Sequence, residues 1–299
     1  MNNSRIKANA ALLGTAIIWG GAFVVQRNGM DSLGPFMFSS IRMFLGAIAL
    51  IPVIMITDAR NRKSPDPVNI DNKKDVIIGG TAAGIVYFIA ANLQQVGLVS
   101  VDAGKTAFIT ALYILLVPII GVFLKHKITK LNWIGAVIGV AGLYFLCIKN
   151  GFSIARGDFI VLVGSLFWAF HILTIDHFTD RVTSAKLIAA QSVVAGILSL
   201  IAALATETST WEGIVAAIPN LLYSGVLSAG VAFTLQAAGQ KHANATTASI
   251  ILSTESLFGA ICGFLFLHEV MTGRELFGCA LMLAAIVISQ LPSGDRKNA

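Results

Sequence analysis

Apolar residues in this 299-residue chain fall in long blocks, not in the single stripe of a surface helix. Ten runs stand out, at roughly 8–27, 35–56, 75–96, 104–124, 131–148, 157–176, 185–205, 214–238, 246–266 and 274–291. Each is close to the ~20 residues an α-helix needs to cross a bilayer. The breaks between runs are chemically apt. Pro35 follows Gly34 and suits a first helical turn. The stretch from Asp58 to Asp75 gathers charge and holds two prolines, and Asn150-Gly151 divides the fifth run from the sixth. The pattern predicts an all-α membrane protein of ten transmembrane helices. Arg5 and Lys7 before the first run superficially suggest a secretory signal. No A-x-A cleavage pattern follows and the run continues to spanning length, so it is read as the first helix.

The chain also repeats itself. Trp19 in the first run is matched 149 positions on by Trp168 in the sixth, and at the same distance Arg42 falls opposite Gln191. LQQVG at 93–97 is matched by LQAAG at 235–239. Thr129, with Gly135 six residues on, is matched by Thr272 with Gly278. The chain therefore divides into residues 1–150 and 151–299, with five helices each. Five is odd, so the second half enters the membrane from the opposite side. Inverted repeats of this kind let a central site open to either side.

Composition agrees with a membrane protein and narrows the chemistry. Hydrophobic residues make up 56% and charged residues 12%, against about 25% charged in a soluble protein. The net charge of +6 needs no nucleic-acid partner. With the N-terminus inside, 15 of the 21 Lys and Arg fall in cytoplasmic segments, five on the outer side and Arg42 within a span. That bias places both termini in the cytoplasm of a cell-membrane protein. Cys147, Cys262 and Cys279 lie in apolar runs without metal-ligand spacing, so neither disulfide nor zinc is expected. DAGKT at 102–106 ends like a phosphate-binding loop, but the glycine required five residues before Gly104 is Val99. Its repeat counterpart is NATTA at 244–248, and Asp102 and Asn244 are read as helix N-caps. His268-Glu269 begins a zinc-protease signature, but Thr272 stands where the second His belongs. No catalytic residues, cofactor or metal site are expected.

Several stretches resemble the EamA-type transporters of the drug/metabolite transporter superfamily. They are IIWGGAFVVQR (17–27), IRMFLGA (41–47), AGKTAFITALYILLVPIIG (103–121) and SIILSTESLFGAICGFLFLHE (249–269), followed by the helix of Gly278. The resemblance covers nearly the whole chain. It implies ten helices with both termini inside, two repeats, a central cavity and transport of small metabolites, often outward. Two positions depart from the pattern: His126 is the first-half counterpart of Glu269, and Ser256 follows Glu255 where the family often has proline.

Ionisable residues inside a span face a cavity or a partner by default. Glu255, in the ninth span, is read as a substrate contact or a protonatable carboxylate; a packing carboxylate bonded to Ser253, Thr254 or a lysine is the competing reading. Arg42 offers a bidentate fork to a carboxylate or phosphate, against a structural ion pair or snorkelling. His171 shares a face with Trp168, and its titration would couple protons to transport, against a neutral His bonded within the bundle. Trp19, Trp168 and Tyr113 lie well inside their spans, where flat faces suit planar or cationic ligands and equally suit packing. Gln191 joins this candidate substrate site. Gln26, Gln95 and Lys105 are read as gating or rim residues; Gln94 and Gln236 supply further uncharged hydrogen-bonding groups. Gly20-Gly21 is read as a point of flexure, and Gly80–Gly84, Gly135–Gly139 and Gly259–Gly263 as close helix contacts.

The expected partners are a small-molecule substrate and the lipid bilayer, with proton coupling and oligomeric state left open. The expected activity is secondary-active, alternating-access export of small polar metabolites. Amino acids are favoured because Arg42 and Glu255 together suit a zwitterion. Nucleobase, nucleoside or organic-cation efflux is the alternative, ahead of a membrane receptor or an intramembrane enzyme. A channel would need rings of like groups from symmetric chains.

Overall fold

The computed structural model describes residues 3–63, 71–101, 103–148, 155–267 and 272–291, without the side chains of 103, 104 and 262–267. The expected cap at Asp102, the side chain of Cys262, the pair His268-Glu269, the Asn150-Gly151 break and the basic residues at 296 and 297 lie outside this description. Ten helical spans follow one another. They are α1 (Asn3–Gly29), α2 (Pro35–Arg62), α3 (Lys73–Leu98), α4 (Ala103–Ala111 and Tyr113–Phe123), α5 (Lys130–Cys147), α6 (Arg156–Phe178), α7 (Ser184–Thr206), α8 (Trp211–Gln240), α9 (Ala245–Leu252 and Glu255–Leu267) and α10 (Gly273–Gln290). Nine of them are long and apolar enough to cross a membrane, and the described helices of α9 are shorter. Large apolar side chains such as Met55, Ile77, Phe123 and Leu204 point outward, as they must where the surroundings are lipid and not water.

Three spans are not regular helices. α4 breaks at Leu112, α9 breaks at Ser253-Thr254, and α8 winds as a π-helix over Tyr223–Ala232. Proline explains these only in part. Pro118 lies just after the α4 break and Pro219 just before the π stretch, yet Pro52 sits within an unbroken α2. The α9 break has side chains that compete for its backbone: the Ser253 and Thr254 hydroxyls donate to the carbonyls of Ile250 and Ile251, at 2.8 and 2.6 Å.

The packing exchanges when the halves exchange. α5 packs on α10, and α2 on α7; α3 packs on α6 as α1 does on α8, and α3 packs on α7 as α2 does on α8. Five spans precede residues 149–154 and five follow. Mirror positions lie 149 apart up to the end of α2, 142 apart in α3 and α4 and 143 apart in α5; the large change comes because the connection after α2 is longer than that after α7. Glycine sets the closest crossings. A Cβ on Gly278 would stand 2.7 Å from both the Gly142 carbonyl and the Leu146 nitrogen, binding α10 to α5. A Cβ on Gly20 would stand 2.7 Å from the Gly259 nitrogen, so this glycine, read above as a flexure point, is where α1 meets α9. Gly84 likewise faces the Gln191 carbonyl across α3 and α7.

Helix ends are closed by side chains. Asn244 caps α9 by accepting from the Thr247 N–H at 2.7 Å, as its sequence position suggested. Thr129 and Thr272 form matching capping boxes with Asn132 and Glu275 at the starts of α5 and α10. One apolar cluster joins α2, α3, α7 and α8 through Met43, Tyr87, Leu187 and Phe233. Others centre on α4, α5, α9 and α10, through Ile114, Leu143, Ile250 and Met282. Trp19 and Trp168 pack against both the first cluster and one that joins α4 and α9, and the cavity lies there.

Candidate functional site

A cavity lies between the repeats, with about 40 Å³ open to the centres of water-sized molecules. α1 contributes one helical face to it, with Trp19, Ala22, Phe23 and Gln26 at the i, i+3, i+4, i+7 spacing that stacks side chains. α3 adds Tyr87 and Gln94 one heptad apart, and α6 adds Trp168 and Ile172. Ser228, Phe233 and Gln236 come from α8, at and beyond its π stretch. That stretch is tied to α1 at both ends: Tyr223 donates to the Ile18 carbonyl at 2.8 Å, and Thr15 donates to the Ala232 carbonyl at 2.9 Å.

The two charged side chains lining the cavity, among the described residues, are Arg42 and Glu255. Both are 4% exposed. Arg42 Nη1 donates to Gln26 Oε1 at 2.6 Å, and its Nε has no hydrogen-bond partner among the described residues. Glu255 opens the second helix of α9, and Tyr113 opens the second helix of α4. Each therefore sits where backbone N–H groups lack helical partners. The Tyr113 hydroxyl donates to Glu255 Oε1 at 3.3 Å. These two residues are 142 positions apart, so they are mirror counterparts meeting across the repeat interface.

The wall is aromatic. Phe233 lies 4.7 Å from Trp19, 5.1 Å from Tyr87 and 6.1 Å from Trp168, centroid to centroid, and is parallel to Trp168 within 12°. Trp168 Nε1 donates to Gln94 Oε1 at 2.7 Å, which fixes the indole plane. The Thr110 hydroxyl reaches the same oxygen at 3.5 Å.

Of the residues picked out in the sequence, Trp19, Gln26, Arg42, Gln94, Tyr113, Trp168, Gln236 and Glu255 meet in this cavity. His171, Gln191, Gln95 and Lys105 do not line it. His171 packs behind the wall, edge-on to Tyr87, Trp168 and Phe233, and its Nε2 lies 2.8 Å from Gln191 Oε1. Gln95 is fully buried, and both its amide atoms lack partners among the described residues. Lys105 forms an ion pair with Asp158 at 2.7 Å, tying α4 to the start of α6. Asp158 also caps that start, accepting from the Ala155 N–H at 2.6 Å. The sequence reading did not single out Tyr87, Thr110, Ser228 or Phe233. Tyr87 could have been found from Gln94, which shares its face, and Phe233 from Gln236 three residues on. Among the described residues, no three His, Cys, Asp or Glu side chains converge as a metal site requires.

The chain matches the EamA-like transporter family twice, over residues 6–148 and 155–290. It is similar to an uncharacterized transporter of Archaeoglobus fulgidus, 30% identical over 96% of this chain and 87% of that one. It is also similar to the uncharacterized transporter YoaV of Bacillus subtilis, 26% identical over 98% and 99% of the two chains. In three dimensions it is similar to a solved crystal structure that covers 98% of each chain, with a TM-score of 0.77 at 15% identity. That likeness speaks to the fold.

Proposed function

The chain belongs to the EamA-like transporter family and is a multi-pass membrane protein, and from that premise we propose that it is a secondary-active, alternating-access exporter of small polar metabolites, with amino acids and their relatives favoured. The carrying observation is that Arg42 and Glu255 line one cavity between the repeats. A zwitterion presents a carboxylate and an ammonium group, and the two side chains offer a bidentate donor and an acceptor for them. Trp19, Trp168, Tyr87 and Phe233 supply the apolar wall for a side chain. The sequence holds no phosphate-binding loop, so a gradient of ions or of the solute itself supplies the energy. The lysine and arginine bias supports a cell-membrane location with both termini in the cytoplasm.

A second reading has its own support. A carboxylate beside four aromatic rings also suits a planar organic cation, because the ring faces attract positive charge. Transport assays in sealed liposomes separate the two, using labelled amino acids, nucleobases and quaternary ammonium compounds with and without a pH gradient. Saturable transport of amino acids that Arg42→Gln and Glu255→Gln each abolish is the expected result. Transport of quaternary cations that ignores Arg42→Gln would select the second reading. Saturable transport of amino acids that survives both substitutions would remove this cavity from the mechanism.

A further inference from the structure

Mirror symmetry predicts two equivalent half-cavities, but the cavity is lined far more by one set of mirror positions than by the other. Gln26, Arg42, Gln94 and Thr110 all lie within about two helical turns of the face where α1 ends, and all four line the cavity. Their mirror positions, near the opposite face, are Ile175, Gln191, Gln236 and Leu252. Each of these is 0% exposed, and only Gln236 reaches the cavity. Chemistry differs along with the lining. The first set places a guanidinium at position 42, with Nε unpartnered. The second set places an amide at position 191, held by His171, with Gln191 Nε2 and His171 Nδ1 unpartnered among the described residues. His171 itself occupies the mirror position of Ala22. Buried polar atoms without partners are costly, and here they sit at the positions that symmetry equates with a binding wall.

We propose that Arg42 and Gln191 are the two mirror-related head-group positions of one transport site and give it a different charge on each side. A solute's anionic group meets a guanidinium when the cavity opens to the face where α1 ends. It meets an uncharged amide when the cavity opens to the face where α1 begins. The proposal rests on the alternating-access reading above. Its consequence is sidedness of affinity: carboxylate-bearing solutes bind more tightly from the Arg42 side, the outer face when both termini are cytoplasmic, so export has to draw on the energy source and not on this difference. This asymmetry sets the concentration that half-saturates each face and leaves the equilibrium gradient untouched, since a carrier cannot shift that by binding alone.

The test needs no knowledge of the natural solute. Cys147, Cys262 and Cys279 are replaced in the full chain, and one cysteine is introduced in place of Ala22 or Ile175. Membrane vesicles of each orientation are labelled at pH 8, above the ordinary range of a histidine. The reagents are anionic sulfonatoethyl and cationic trimethylammonioethyl methanethiosulfonate, each normalised to its rate with a free thiol. For Ala22→Cys the anionic-to-cationic rate ratio should fall roughly tenfold on adding Arg42→Gln and survive Arg42→Lys, as expected for one fixed charge in a partly desolvated cavity. Ile175→Cys should react from the opposite face with a ratio roughly tenfold lower than that of Ala22→Cys, and adding Gln191→Arg should raise it. The comparison of the two cysteines in otherwise unchanged protein decides the matter even if a charge variant misfolds. Equal ratios at the two positions would overturn the proposal while leaving alternating access intact. If Ile175→Cys reacted from neither face, the second set would never face a cavity, and both the proposal and the reading beneath it would fall.

Discussion

Arg42 and Glu255 line the same cavity, yet each already has a neutral partner in it, Gln26 for one and Tyr113 for the other. A neutral partner orients a charge without cancelling it, so both side chains keep their attraction for a ligand of opposite sign. Tyr113 tests this. Replacing it with Phe removes one hydroxyl and leaves the ring in place. Within membranes such a bond is worth about 0.6 kcal/mol on average, and at 3.3 Å this one is long. A buried acceptor stripped of its donor in a dry core would instead cost about 1–3 kcal/mol. Because Glu255 faces a cavity that water can enter, the smaller figure should apply. Tyr113→Phe is expected to change detergent-phase thermal stability by less than about 1 kcal/mol while weakening solute binding, measured by isothermal titration with the solute that the liposome panel identifies. A large stability loss with unchanged affinity would make the pair structural.

At the level of elements, crossings set by backbone contact should tolerate change least. Gly278 lies where a methyl group would meet the Gly142 carbonyl and the Leu146 nitrogen, both main-chain atoms that cannot rotate away. Gly278→Ala is therefore expected to cost about 1–3 kcal/mol, the usual range for overpacking. Gly273 opens the same helix and has nothing within 4 Å of its added Cβ. Gly273→Ala should be neutral or stabilising by up to about 1 kcal/mol, through helix propensity. Thermal denaturation of the two variants side by side gives the comparison, and equal effects would show that α5 and α10 can part without cost. The spans themselves were legible in the sequence, because a lipid-facing helix has to be apolar over its whole length. The repeat was legible through Trp19 and Trp168 and the two Leu-Gln pairs. The break in α4 was not, because it falls within the apolar run ALYILL, which reads as good helix, and Pro118 comes six residues later. The pairing of Tyr113 with Glu255 was within reach: DAGKT and NATTA are 142 apart, and so are these two residues. What hid it was a carboxylate standing opposite a phenol, a chemical mismatch that identity matching passes over. Which mirror half lines the cavity is carried by packing: polarity pointed to Gln26 and Gln191 alike, yet Gln26 lines the cavity and Gln191 is held behind its wall by His171.

For the whole molecule, the proposed alternation requires ties that hold one face closed while the cavity serves the other. α2 and α7 are mirror partners that run side by side, and a side-chain clamp joins them at each end. Near the face where α1 ends, the Glu207 carboxylate accepts from the Phe36 and Met37 N–H groups at 2.8 and 2.9 Å, capping α2. Its mirror position is Asp58, and there the clamp is ionic. Lys186 pairs with Asp58 at 2.7 Å and Asp71 at 2.8 Å, while Asp71 also accepts from the Thr183 N–H at 2.7 Å. This network holds the end of α2, the start of α7 and the second residue before α3 together at the face where α1 begins. Lys186 is 21% exposed and Asp58 37%, so each pair is worth at most about 1 kcal/mol. Removing the lysine should then shift the balance between the two openings by up to about fivefold per pair. Lys186→Gln is expected to speed modification of Ile175→Cys by a neutral maleimide and to slow that of Ala22→Cys by a similar factor. Raising the salt concentration should move the unsubstituted Lys186 protein the same way, since partly exposed pairs are screened. Opposite changes at the two cysteines are the signature of one equilibrium seen from both sides. A rise at both would mean general loosening, and no change at either would reduce the network to a surface ion pair with no part in holding that face closed.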